Sequence, residues 1–177
     1  VYGSRKSRDH VETVMEQLDS PHVFQWNLSR NKMLEFSCVD IDGVLCADPA
    51  PGISDGTPQY FEFLKTAKLK WKPERRITIV TSRAAMYRTQ TVDWLNEHGI
   101  KFDELHMLPD EDAVTKTARN SAIFKADIYS KTNCRLFIES SDFQSSIIAK
   151  VSGRAALSFE TALIHLPGGR KNGKIPV

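Results

Sequence analysis

From Phe36 onward, apolar runs of strand length alternate with stretches of helical periodicity, and this alternation constrains the fold more than any other feature of the chain. FSCVDIDGVLC (36–46) opens the series as an apolar strand that stops abruptly at two carboxylates and a glycine. ITIV (77–80) is a β-branched strand that stops at Thr81-Ser82-Arg83. A helix is predicted from there to His98, with Tyr87, Thr91, Trp94, Leu95 and His98 on one face and Gly99 as its stop. FDELHML (102–108) predicts a third strand. Residues 111–130 predict a helix broken near Asn120, with Val114, Ala118, Ala122 and Tyr129 in one stripe. CRLFIE (134–139) is a fourth strand, a helix carrying Phe143, Ile147, Ile148 and Val151 ends at Gly153, and AALSF (155–159) is a fifth strand. Strands alternating with helices of this length imply right-handed crossovers and a sheet covered on both faces. The predicted fold class is therefore α/β: a three-layer αβα arrangement with a mainly parallel five-stranded sheet.

The flanks break that rhythm. Residues 9–19 space Val11, Val14, Met15 and Leu18 as a short amphipathic helix, and 22–35 read as a strand or extended connector. Residues 46–75 are rich in Pro, Gly and Asp, with one helical stretch near Tyr60–Ala67, which marks them as a functional insertion. GGRKNGK (168–174) has no periodicity and reads as part of a flexible basic tail. The expected division is an N-terminal helix and connector at 1–35, a core domain at 36–166 and a tail at 167–177. The chain of 177 residues opens on Val1 rather than Met, as expected of a processed chain or a piece of something longer.

Charge narrows the function. Lys and Arg number 24 against 22 Asp and Glu, so a surface that wraps nucleic acid is not expected. No apolar run approaches the roughly 18–20 residues that cross a bilayer, and no signal peptide opens the chain, so a cytoplasmic protein without membrane partners is expected. Three cysteines, Cys38, Cys46 and Cys134, form no metal-binding spacing and read as buried thiols in a reducing compartment.

Sites in open parallel sheets lie beyond the carboxyl ends of the strands. The first strand ends in Asp40-Ile41-Asp42-Gly43, the second in Thr81-Ser82-Arg83 and the fourth in Glu139-Ser140-Ser141-Asp142. Lys125 shares the helical stripe of Ala118, Ala122 and Tyr129. Two carboxylates this close are costly unless a cation joins them or one takes a proton. Mg²⁺, which prefers a few carboxylates together with waters and phosphate oxygens, makes the pair economical. One aspartate then attacks phosphorus while the other handles protons. A D-x-D-G turn also occurs in ordinary loops and in EF-hands, but here apolar Val44 and Leu45 follow directly. Thr81 and Ser82 have an alternative as caps of the next helix, Lys125 as a snorkelling surface amine, Arg83 as a solvated cation and Asp142 as a residue favoured at a helix N-terminus.

VDIDGVL, IVTSR, Lys125 and FIESSD, taken in order, resemble the four motifs of the haloacid-dehalogenase-like (HAD) hydrolases over residues 36–159. The resemblance implies a Rossmann-like domain with a minimal cap that hydrolyses phosphomonoesters with Mg²⁺. It makes Asp40 the nucleophile, Asp42 the general acid/base, Thr81 a hydrogen-bond donor to the phosphoryl group and Lys125 its counter-charge. Ser82 and Arg83 become substrate-binding residues, and the metal falls to Asp40, Asp42 and Glu139, with Asp142 as a further candidate. Members commonly carry Gly-Asp or Asp-Asp where this chain has Glu139-Ser140.

The stretch SRAAMYRTQTVDWLNEHGIKFDELHML, with Asp110, Glu111 and Asp112 before the lysine, is similar to the phosphatase domain of polynucleotide kinase 3′-phosphatases. That likeness implies a nucleic-acid end as one alternative substrate. Residues 1–28 resemble the end of a phosphoribosyltransferase domain fused upstream of a small hydrolase, which implies a nucleotide-like or phosphoribosyl substrate. The altered fourth motif motivates a third reading, a non-catalytic regulatory module.

Overall fold

The computed structural model describes residues 25–168 and, beside them, the short stretches 2–3, 16–17 and 171–174. Strands β1 (Tyr2–Gly3) and β2 (Glu16–Gln17) pair in parallel as a small ladder. The helix expected over 9–19 lies largely outside the described residues, and the two that are described there are extended. Residues expected as an extended connector instead form two 3₁₀ helices, Gln25–Arg30 and Lys32–Phe36. The side chain of Asn31 caps the second by accepting from the Met33 N–H, and Leu28 and Leu34 are buried beneath the pair. Local capping and two apolar anchors therefore outweigh the extended reading.

The main sheet contains seven strands: β3 (Ser37–Val39), β4 (Ile77–Ala84), β5 (Phe102–Leu108), β6 (Leu136–Glu139), β7 (Ala155–Ser158), β8 (Leu163–His165) and β9 (Lys171–Lys174). Their order is β5-β4-β3-β6-β7-β8-β9, with the first five parallel and the last two antiparallel. The mostly parallel α/β sheet is the expected one, enlarged by a hairpin. Lys171–Lys174 pair with β8 where a flexible tail was expected, and Gly168 ahead of them takes φ 84°.

Helices α1 (Pro58–Thr66), α2 (Arg88–Glu97), α3 (Asp110–Ala113), α4 (Ala118–Lys131) and α5 (Asp142–Ser152) connect the strands. The alternation of side chains along each strand divides the core in two. Val39, Ile79, Leu136, Ile138 and Leu157 join Trp94 and Leu95 of α2 on one face. Cys38, Val80, Phe137 and Ala156 join Ala122, Ala126 and Tyr129 of α4 and Ile148 of α5 on the other. The predicted break near Asn120 falls earlier, between α3 and α4, because Thr117 N-caps α4 by accepting from the Asn120 N–H. Val114 is left outside the helical stripe and 86% exposed. Among the described residues, no helix is long and apolar enough to cross a membrane.

Candidate active site

The chain steps from β3 outward to β4 and β5, then returns to the far side of β3 to lay down β6 and β7. That reversal opens a crevice beyond the carboxyl ends of β3 and β6, the usual place for a ligand in such a sheet. Asp40 stands there, its N–H donating to the Ile138 carbonyl at 3.0 Å. Its carboxylate is buried, with Oδ1 accepting from the Ile41 N–H at 2.8 Å and Oδ2 from Lys125 Nζ at 2.7 Å. Lys125 reaches in from α4 and also donates to Glu139 Oε2 at 2.7 Å and to Gln144 Oε1 at 3.4 Å. Burial, with the neighbouring charges of Glu139 and Asp42, outweighs the pull of Lys125 and leaves the Asp40 carboxyl pushed up to about 7. Burial alone would lower the Lys125 amine, but Asp40 and Glu139 outweigh it and hold the amine above its ordinary value.

The turn after Asp40 is built by its own backbone: the Ile41 carbonyl accepts from the N–H groups of Val44, Leu45 and Cys46. Gly43 sits at φ 76°, and a Cβ there would lie 2.5 Å from Ser140 Cβ and 2.9 Å from Asp48 Oδ2. Lys70 Nζ donates to the Gly43 carbonyl at 2.6 Å and fixes the turn from the insertion side. Gly43→Ala therefore combines an unfavourable backbone with a steric clash. The expected loss is about 2 kcal/mol or more of stability, read as a lower midpoint in urea unfolding, with the site displaced as well. An unchanged midpoint would mean that the chain just after β6 yields freely at Ser140.

Arg83 corrects the sequence reading. The β4–β5 ladder pairs Thr81 with Met107 and then Ala84 with Leu108, so Ser82 and Arg83 occupy an irregular stretch of β4. Bulges of this kind re-aim side chains beside active sites. Arg83 is fully buried, with Nη2 2.7 Å from Asp42 Oδ1 and Nε 3.2 Å from both carboxylate oxygens. It also donates to Cys46 Sγ at 3.4 Å and to Thr91 Oγ1 at 3.5 Å. The guanidinium is thus committed to holding Asp42 and is not offered to a substrate. Burial would raise the Asp42 carboxyl, but the Arg83 charge and hydrogen bonds, with the Cys46 thiol, bring it below the usual carboxylate value.

The same irregularity leaves Ser82, expected as a substrate-binding residue, on the cavity and Thr81, expected as the donor to the phosphoryl group, off it. Thr81 is fully buried and accepts from the Arg83 N–H at 3.3 Å. Ser82 lines a cavity of about 510 Å³ together with Asp40, Asp42 and Lys125, and its buried hydroxyl has no hydrogen-bond partner. The side chain poised to meet a ligand is that of Ser82.

The two acids of the fourth motif are also placed otherwise than expected. Glu139 is fully buried behind Lys125, and its Oε1 accepts from Ser140 Oγ at 3.0 Å and from the Ser141 N–H at 3.3 Å. Both of its oxygens are thereby engaged by protein donors. Asp142 turns toward β8, its Oδ1 accepting from Thr161 Oγ1 at 2.9 Å and lying 2.7 Å from His165 Nε2. Neither acid lines the cavity.

A carboxylate absent from the motif reading does line it. Asp48, exposed in the insertion, stands against Gly43 near Asp42. Partial desolvation raises its carboxyl, and the charge of Asp42 adds to the effect while Lys70 opposes it. Its Asp-Pro setting in an aperiodic stretch carried no signal, because its position depends on how the loop folds back. The cavity walls are the insertion around residues 48–60 and the α3–α4 junction, tied together where Lys116 Nζ meets Asp55 Oδ2 at 3.2 Å.

No family model matches the chain, and neither the curated proteins nor the solved structures give a significant match. The functional reading therefore rests on the site itself.

Among the described residues, no three His, Cys, Asp or Glu side chains converge closely enough to enclose a metal ion. Mg²⁺ does not require that, since one or two carboxylates with waters and phosphate oxygens complete its octahedron. Asp40 and Asp42, both on the cavity with Asp48 beside them, supply hard oxygen donors of the right type. The donor set fits a Mg²⁺ brought in with a phosphate, whereas Glu139 and Asp142 do not line the cavity.

Proposed function

We propose that this chain is a Mg²⁺-dependent phosphomonoester hydrolase of the HAD-like type, with Asp40 as its nucleophile and no large cap. The observation that carries the reading is Asp40 itself. A buried carboxylate at the end of the central strand, paired with Lys125, faces a cavity whose floor also presents the unpartnered hydroxyl of Ser82. Phosphoryl transfer depends on charge stabilisation and positioning more than on covalent machinery. Lys125 supplies positive charge beside the nucleophile, and the Ser82 hydroxyl can donate to a phosphoryl oxygen. Attack by Asp40 on phosphorus forms an acyl phosphate and breaks the bond to the leaving oxygen, which takes a proton from solvent water and departs as the alcohol, so that hydrolysis becomes two easier steps. Asp42, held charged by Arg83, is suited to accept a proton from the water that cleaves this intermediate. Asp40 and Asp42 would hold a Mg²⁺, which would supply charge neutralisation for the phosphoryl oxygens.

Nucleotide-type and phosphoribosyl esters are the favoured substrates, because a cavity of about 510 Å³ is the size of a small-molecule site. The test is phosphate release from nucleotides, sugar phosphates and phosphorylated oligonucleotide ends, with and without Mg²⁺. Turnover of at least one class is expected, falling to background when EDTA strips the metal. No release from any class, or release that chelation leaves untouched, overturns the reading.

A further inference from the structure

We infer that a second cleft beside the catalytic cavity holds the organic part of the substrate, and that this part is a flat, nitrogen-bearing aromatic ring of the nucleobase type. The inference rests on the phosphomonoester reading for the position of the phosphate.

The cleft, of about 360 Å³, lies between the end of β5 and the outer face of α4. It shares two residues, Lys116 and Ser121, with the catalytic cavity, so one ligand can span both spaces. Ser121 is only 4% exposed and lines both spaces at their junction. A hydroxyl at that junction can donate to, or accept from, a polar spacer that passes between the two spaces. Lys116 stands at the same threshold, with the charge to meet a polar or anionic spacer.

Beyond that threshold the chemistry changes. Leu108 is buried in the lining, Phe124 is half-buried, and Ile123 is 41% exposed on the same helix. An apolar floor containing a phenyl ring suits the face of a flat ring. The rim is polar, and Asn120 donates its Nδ2 to the Thr115 carbonyl at 3.2 Å, leaving its side-chain oxygen to accept from an amino group carried by the ring. A purely aliphatic group would leave that rim unsatisfied, whereas a nucleobase matches both surfaces. Phosphate over Asp40, spacer at Ser121 and ring against Phe124 is the resulting order.

The experiment compares adenosine 5′-monophosphate with ribose 5-phosphate, which carries the same phosphate ester without the ring. In wild type, kcat/KM is expected to favour the ring-bearing ester by roughly 10-fold or more, the contribution of one stacked base. Ile123→Glu, a change at an exposed position that places charge in the cleft, should raise KM for the nucleotide about as much and leave ribose 5-phosphate unchanged. Phe124→Ala should do the same. Equal effects on both esters, or none, overturn the inference. Calorimetric titration with adenosine, which has no phosphate to release, separates the two ideas. Adenosine binding that Ile123→Glu abolishes, in a protein that hydrolyses neither ester, sinks the hydrolase reading and keeps the cleft. Normal hydrolysis of both esters with no adenosine binding does the reverse.

Discussion

Asp40→Asn is expected to abolish phosphate release while leaving the protein folded, with a loss of turnover on the order of 10⁴–10⁶-fold. The amide keeps the shape of the carboxylate and can still accept the Ile41 N–H through its oxygen. What it loses is the negative charge that attacks phosphorus. Charge arithmetic explains why the fold should survive. Asp40 and Glu139 share Lys125, so the buried cluster carries two negative charges and one positive. The amide brings that cluster to neutrality, with Lys125 still paired to Glu139. An unpaired buried charge is the costly species, and this substitution creates none. Thermal unfolding should therefore shift by no more than a few degrees, and upward as readily as downward. Full metal-dependent turnover by Asp40→Asn would remove Asp40 from the chemistry. A collapsed Tm would mean that the carboxylate is needed for the fold itself.

The contrast between what the sequence disclosed and what it concealed has a physical pattern. Strand–helix alternation after Phe36 predicted the five parallel strands, because burial on both sides of a sheet forces continuous apolar runs that are visible in any window. Asp40, Asp42 and Lys125 were legible for a related reason, as polar residues standing where an apolar strand or stripe should continue. Arg83, Ser82 and Thr81 were not. Which of them faces the cavity depends on the irregular pairing of β4 with β5, and a side chain's face inverts with every residue inserted. Glu139 was legible as a strand-end acid, but its occupation by Lys125, Ser140 and Ser141 depends on which neighbours the fold supplies. Asp142 followed the same course with Thr161 and His165, which come from a hairpin that the alternation did not announce. Asp48 lay in the insertion, where no period exists to set it off.

Arg83 also changes how the paired aspartates are understood. Two carboxylates so close in sequence called for a cation, and the protein brings one to each: Lys125 to Asp40 and Arg83 to Asp42. The two environments differ, since burial raises Asp40 while Arg83 holds Asp42 down. Separation of this kind is how paired carboxylates come to have distinct roles.

Lys125→Met is the counterpart of Asp40→Asn and, unlike it, should cost stability. Methionine fills much of the same volume but leaves Asp40 and Glu139 buried with no cation between them, a cluster of two like charges. Breaking a buried pair from one side costs roughly 3–5 kcal/mol, and at about 2–4 °C per kcal/mol for a chain of this size the Tm should fall by roughly 10 °C. Activity should vanish as well, since the charge beside the nucleophile is gone. Stability alone tests the network, because a second substitution can restore it. Lys125→Met with Glu139→Gln again leaves a single negative charge in the cluster, and should recover a substantial part of the lost Tm without recovering turnover. If the double variant were as unstable as the sum of the two single changes, the residues would be acting independently. The geometry argues against that outcome, because one Nζ donates to both carboxylates at 2.7 Å and removing it orphans the two together.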